Sequence, residues 1–152
     1  MTTLTTERLK IYPMTCEQMK QAVSAECDPE LRCAYSQMLE LSVQFPESCE
    51  WYAMWRVERL DGTAVGDFCF KGENGGFPEV GYGIYDEYQG NGYATEALTA
   101  LVEWAFSHED VKAVEAEAAA DNIPSQKVLE KCGFVKNGVI GDEGERFTRK
   151  RS

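Results

Sequence analysis

A glycine-rich turn that opens straight into a helix constrains this chain more than any other stretch. It reads Gln89-Gly90-Asn91-Gly92-Tyr93-Ala94-Thr95-Glu96-Ala97-Leu98, and the apolar run Val80-Gly81-Tyr82-Gly83-Ile84-Tyr85 leads into it. Strand, glycine turn and helix in that order make a phosphate cradle. The N–H groups of a helix's first turn have no helical partner, and the helix dipole adds positive charge there. Glycines remove the Cβ atoms that would keep an anion away from those donors. The pattern points to a ligand that carries a phosphate or pyrophosphate.

The 152 residues, 43% of them hydrophobic, make one domain over 1–152 with a real core. No apolar run nears the roughly 20 residues that span a bilayer. The first residues lack the basic and apolar regions of a signal peptide, so the expected location is the cytoplasm, with no membrane partner. A net charge of −11 argues against sequence-independent nucleic-acid binding, which needs Lys and Arg at the phosphates. Such a surface attracts cationic substrates, amines or basic peptides, or serves solubility alone.

The six cysteines (Cys16, Cys27, Cys33, Cys49, Cys69, Cys132) form no Cys-x-x-Cys pair, and His108 is the single histidine. No metal site is expected. The thiols are expected reduced, most of them as small core residues. His108 falls at a predicted helix end, where it suits the C-terminal carbonyls. Acid–base chemistry is left to carboxylates, tyrosines or water.

Along the chain, 9–12 alternates up to Pro13 and predicts a strand. The stretch 14–47 has a helical pattern broken at Asp28-Pro29, with a second helix over about 30–41. Runs 51–60 and 63–70 flank Asp61-Gly62, a strong hairpin signal. A strand over 79–85 precedes the glycine turn, and Ala97, Leu98, Leu101, Val102 and Ala105 form the buried stripe of the helix after it. A strand over 111–118 leads to a helix that Asn122 caps and Gly133 ends, with Val128, Leu129 and Cys132 on its buried side. Runs 134–139 and 146–150 make a last hairpin. The order predicts one α+β domain with a mostly antiparallel sheet.

Three blocks together resemble the GNAT superfamily of acyl-CoA-dependent N-acetyltransferases, in the branch that includes ribosomal-protein alanine acetyltransferases. The family's Gln/Arg-x-x-Gly-x-Gly/Ala motif is matched by Gln89, Gly92 and Ala94, followed by Thr95-Glu96-Ala97-Leu98. A second block runs Asn122-x-x-Ser125-x-x-Val128-Leu129-Glu130-Lys131-Cys132-Gly133-Phe134, and a third, weaker one is Leu4-Thr5-Thr6-Glu7-Arg8-Leu9. The resemblance implies a twisted, mostly antiparallel central sheet with splayed central strands, flanked by helices. It implies acetyl-CoA as cosubstrate, a primary amine as acceptor (small molecule or peptide N-terminus), and a homodimer.

By that resemblance, the Ile84 backbone pairs with pantetheine, and the Tyr82 N–H meets the thioester carbonyl as a one-donor oxyanion stabiliser. The N–H groups of Gln89, Gly90, Asn91, Gly92, Tyr93, Ala94 and Thr95 hold the pyrophosphate. Asn122 and Ser125 line the thiol side. Lys127 and Lys131 share a helix face that is either solvated or turned to cofactor phosphates. The amine needs a base for its proton, with Glu79, Glu117 and, third, Asp67 as candidates. The tyrosine acid of many relatives is replaced by Leu129, which leaves Ser125 or water for the departing thiolate.

Two rivals stand beside this reading. One is a dinucleotide-binding fold, from Gly90-x-Gly92 with Glu115 or Glu117 further on, although Thr95 occupies the third glycine position. The other is an acyl-CoA sensor or scaffold without catalysis. Tyr35, Phe45, Trp51, Tyr52 and Phe147 are candidates for the acceptor pocket or for plain core packing.

Overall fold

The computed structural model describes residues 2–151. Five antiparallel strands form the larger sheet in chain order: β1 (Leu4–Thr5), β2 (Leu9–Pro13), β3 (Met54–Arg59), β4 (Ala64–Phe70) and β5 (Val80–Ile84). Between β2 and β3 come α1 (Cys16–Ala25) and α2 (Pro29–Gln44). Helix α3 (Tyr93–Phe106) follows the glycine turn. The smaller sheet, ordered β6-β8-β7, contains β6 (Ala113–Ala118), β7 (Val135–Ile140) and β8 (Glu145–Lys150), with α4 (Ile123–Lys131) between β6 and β7.

The two sheets meet at an isolated parallel bridge, Glu79 with Glu115. Beyond it β5 and β6 belong to different sheets, so the predicted splay is present.

One core lies between α3 and the sheets. The predicted α3 stripe (Ala97, Leu98, Leu101, Val102, Ala105) is buried there with Leu9, Ile11, Val57, Phe68, Val114 and Phe147. Alternation explains most of β4: Phe68 and Phe70 are buried, whereas Asp67 and Cys69 point to the other face. Val65 joins the same core out of phase, at the bulge where the register steps from Val57–Gly66 to Glu58–Ala64. A second cluster, Met14, Met19, Ala53 and Met54 with Tyr35, Met38 and Leu39, packs α1 and α2 on that other face.

Some expectations need correction. The 51–60 run does not start as a strand, because Pro46 opens a short 3-10 helix through Trp51. Trp51 packs its ring on Phe70 and Trp104 in the core. No cysteine is a fully buried core residue: Cys16, Cys27 and Cys33 are exposed, and Cys49, Cys69 and Cys132 are half-buried. Strand β1 was not foreseen, being two residues long. Trp51 and Phe147 are core residues, while Phe45 stacks on Tyr52 at 5.3 Å. His108 does sit at the α3 C-terminus, its Nδ1 3.1 Å from the Trp104 carbonyl oxygen. No described helix is long and apolar enough to cross a membrane.

Candidate active site

Among the described residues four α-helices give four N-termini, and three carry side-chain caps. Thr15 accepts from the Gln18 N–H, Asp28 from the Glu30 N–H and Asn122 from the Ser125 N–H. Helix α3 starts from Gly92, in the left-handed region at φ 80°, with no side-chain cap. Gly90 is left-handed as well, at φ 81°, and a Cβ there would point into open space. The turn braces itself: the Gln89 amide donates to the Ile84 carbonyl (3.0 Å), and the Asn91 amide donates to the Tyr88 carbonyl (3.0 Å). The uncapped first turn therefore faces outward with its donors unspent on side chains.

What it faces is a cleft of about 580 Å³ between β5 and α4. The cleft brings together Tyr82, Ile84, Gln89, Gly90, Gly92, Tyr93, Ala94, Thr95, Asn122, Ser125 and Lys131, and also Lys127. Asn91 is not in its wall, since its side chain turns back into the loop.

Strand β5 presents free backbone to the gap. Lys71 N–H bonds the Glu79 carbonyl and Tyr85 N–H bonds the Val65 carbonyl, in a register that pairs Phe68 with Tyr82. Antiparallel ladders alternate, so residues 79, 81, 83 and 85 face β4 with their polar groups. The N–H groups of Val80, Tyr82 and Ile84 then point the other way, into the splay. The Tyr82 ring stacks on Phe68 at 5.0 Å, and its hydroxyl spans the gap to Ser125 Oγ at 3.0 Å. Burial pushes the Tyr82 phenol above its ordinary pKa, against the pull of the Ser125 bond.

Past that pair lies a smaller cavity, about 260 Å³, which shares Tyr82, Asn122 and Ser125 with the cleft. Its other walls include Lys71, Glu79, Glu117 and Glu143. Glu79 is held between Lys71 Nζ (2.9 Å) and Arg146 Nη2 (3.1 Å). Arg146 also pairs with Glu115 (3.3 Å) and with Glu117. Partial burial works to raise the Glu117 pKa, but the Glu143 N–H and the Arg146 guanidinium outweigh it and hold the carboxyl below its ordinary value. A Cβ at Gly141 would run into the Glu117 carboxylate, so the β7–β8 loop closes directly over it. Arg146 and Lys71 were not foreseen. The signal for Arg146 was Glu115-x-Glu117, two acids on one face of a strand, but its partner follows only once the β6–β8 register sets Glu117 against Arg146.

Asp67 lies apart, on the face toward α1 and α2. It pairs with Gly83 in register, and the Tyr85 hydroxyl lies 3.4 Å from its Oδ2. Burial raises its carboxyl above the ordinary value, against Tyr85 and Arg56. A Cβ at Gly83 would meet nothing within 4 Å, so the sheet has an open floor there. Nearby, burial lifts the Cys69 thiol to about 11 and the Tyr35 phenol to about 12. Leu129 is fully buried in the main core, away from any proton-transfer role.

Comparison with known proteins agrees with this architecture. The family model described as an acetyltransferase (GNAT) domain matches residues 8–135, more than half of the chain. An uncharacterized N-acetyltransferase of Bacillus subtilis (strain 168), YjdG, is 36% identical over 86 residues, covering 55% of this chain and 51% of that protein. The chain thus spans about half the length of that relative. Among solved structures, the ribosomal L7/L12 alpha-N-protein acetyltransferase RimL in complex with coenzyme A superposes with a TM-score of 0.77 at 13% identity, covering 98% of both chains. A chimeric spermidine N-acetyltransferase SpeG, from Vibrio cholerae and hSSAT, gives 0.70 at 16% identity, covering 93% of this chain and 95% of that one. With the family model matched from Arg8 through the β5 strand, the glycine turn and α4, the chain belongs to the GNAT family of acetyltransferases.

Proposed function

We propose that this chain moves an acetyl group from acetyl-CoA to a primary amine, on a small molecule or a peptide N-terminus. One observation carries the reading: the cleft that starts at the uncapped α3 N-terminus runs between β5 and α4 and ends at Tyr82 and Ser125, beside a cavity rich in carboxylates.

The residues present fit the donor. The amides of residues 90–95 would hold its diphosphate, with Lys131 and Lys127 beside them, because a glycine-opened first turn leaves N–H donors and positive dipole for an anion. The free N–H groups of Ile84 and Tyr82 would bind along the pantetheine arm and the thioester carbonyl. The donor supplies an activated acyl group. The Tyr82 N–H stabilises negative charge on the carbonyl oxygen, a role in which loss of one donor reduces rate about 10²–10³-fold. The Asn122 side chain lines the cleft while its Oδ1 caps α4, and Ser125 stands at the thiol end with the Tyr82 phenol.

The amine approaches along the Gly81–Gly83 face of β5. Asp67 there, with a raised pKa, receives a cationic group near the α2 side. Glu79, at the cavity, takes the amine's proton through water. Glu117 serves this site by fixing Arg146, since its depressed pKa makes it a poor base. The second reading, an acyl-CoA sensor, draws on the same ion cluster: Glu79 and Glu117 are both occupied by cations.

Acetyl-CoA incubated with a panel of amines and peptides, with release of free thiol as readout, separates the two. Turnover with any acceptor supports the transferase. Tight acetyl-CoA binding with no thiol release across the panel supports the sensor.

A further inference from the structure

The α3 N-terminus contains a contradiction. Glu96 lies in the first turn of the helix whose amides are assigned to a diphosphate. A carboxylate in that turn competes with the ligand for the same dipole and repels it.

The N-terminal segment answers it. Glu96 Oε2 accepts from the Thr6 hydroxyl and from the Arg8 backbone N–H at 3.0 Å. Glu96 Oε1 accepts from Arg8 Nε at 2.7 Å. The same guanidinium donates from Nη1 to the Asn91 carbonyl at 2.9 Å and lies over the Tyr93 ring, 4.8 Å from its centroid. Burial works to raise the Glu96 pKa, but the bonds from Thr6 and Arg8 prevail and lower it, so the acid is ionised and paired. Arg8 Nη2 lies 3.4 Å from where a Gly92 Cβ would stand, beside the turn itself. A groove of about 490 Å³ runs past Thr6 and Arg8 and shares Gly92, Thr95 and Lys131 with the main cleft. Thr6 and Arg8 come from the weakest of the three sequence blocks, and nothing in the transfer chemistry uses them.

We propose that Arg8 is a positioning residue whose charge cancels Glu96, so that the first turn of α3 presents a net positive field to the diphosphate of coenzyme A. The proposal rests on the reading that this cleft binds coenzyme A. The Glu96 pair keeps the helix start charged and ordered; Arg8 keeps that charge from reaching the ligand; the Asn91 bond ties the turn to the same cation. The titratable groups acting on Arg8 are Glu7 on its own segment and Glu96 and Tyr93 on α3; Glu103 of α3 and Lys131 of α4 line the same groove.

The charge account makes predictions of opposite sign for the two partners. Calorimetric titration of coenzyme A is measured for wild type, Arg8→Gln, Glu96→Gln and the double variant, each checked by thermal unfolding. Arg8→Gln exposes Glu96 and weakens binding about tenfold at low salt, with the loss shrinking as salt screens it. Glu96→Gln leaves Arg8 unpaired beside the turn and tightens binding severalfold. The double variant returns to within about twofold of wild type, as coupled neighbours do in such a cycle. If the pair were merely a structural clasp, both single variants would weaken binding and the double would not recover; that result overturns the proposal. An unchanged Arg8→Gln overturns it too. Wild type that binds no coenzyme A at all would instead remove the donor assignment underneath, a failure visible before any variant is compared.

Discussion

Two helices aim their N-termini toward the cleft, and they are built in opposite ways. Helix α4 is closed: Asn122 accepts the Ser125 N–H, and Pro124 in the first turn presents no N–H to satisfy. Helix α3 is open: Gly92 at φ 80° provides no cap, and the first-turn donors face the cleft. The same element is thus finished by its own side chain on one wall and left uncapped on the other. The difference teaches that a missing cap is informative when the other described α-helices of the same chain all have one.

The most severe way to break the comparison is to fill the open end. Gly92→Glu adds a Cβ 3.4 Å from Arg8 Nη2 and a carboxylate at the turn proposed to hold the phosphate, in a left-handed conformation that a non-glycine residue adopts with strain. Affinity for acetyl-CoA is expected to fall about 100-fold or more, roughly 2.7 kcal/mol. Calorimetry on the folded variant checks it, and an unchanged affinity removes the phosphate from that turn.

Next comes the chemistry beyond the α4 wall. Glu79→Gln is expected to lower turnover about tenfold near neutral pH and less at alkaline pH, where more of the amine is already deprotonated. The pH profile of kcat decides, and an equal loss at both ends argues that Glu79 acts through Lys71 and Arg146 instead.

A smaller effect attaches to the closed end. Asn122→Ala removes the α4 cap and is expected to destabilise the fold by about 1 kcal/mol. Asn122→Asp keeps a capping oxygen, so stability is retained while a negative charge enters the cleft and acetyl-CoA binding weakens. Thermal unfolding and calorimetry on the pair separate the cap from the cleft; equal stability loss in both would contradict the capping role.

The weakest signal is in acid. Glu96 and Glu117 both have folded pKa values below their ordinary 4.5. Depressed acids contribute stability that is fully present above the ordinary value and lost as pH falls through the folded one. Chemical denaturation should therefore show stability declining below about pH 4.5, with a flatter decline in Glu117→Gln. A decline identical to wild type would show that the Arg146 cluster adds nothing to the fold.

What the sequence disclosed follows the range of each signal. The glycine turn, the Asn122 cap and the α3 stripe are local, and their residue spacing carried them. The Asp61-Gly62 hairpin likewise set the β3–β4 pairing. The cation partners were opaque for the opposite reason. Arg8 meets Glu96 across 88 positions, and Arg146 meets Glu117 across 29. Such pairs depend on sheet register and on which helix face lands over which strand. The cysteines misled because composition does not place them: Cys16 and Cys33 fall on exposed faces of α1 and α2, and Cys27 lies in the exposed connection between those helices. Trp51 misled because its apolar run matched a strand while Pro46 started a turn.

The central claim is that the open N-terminus of α3 holds the diphosphate. Backbone amide shifts followed by NMR during a titration with coenzyme A test it residue by residue. The expected result is saturable, dominant shifts at residues 90–95 in wild type that vanish in Gly92→Glu. Saturable shifts confined to other amides, with residues 90–95 unmoved, would contradict it.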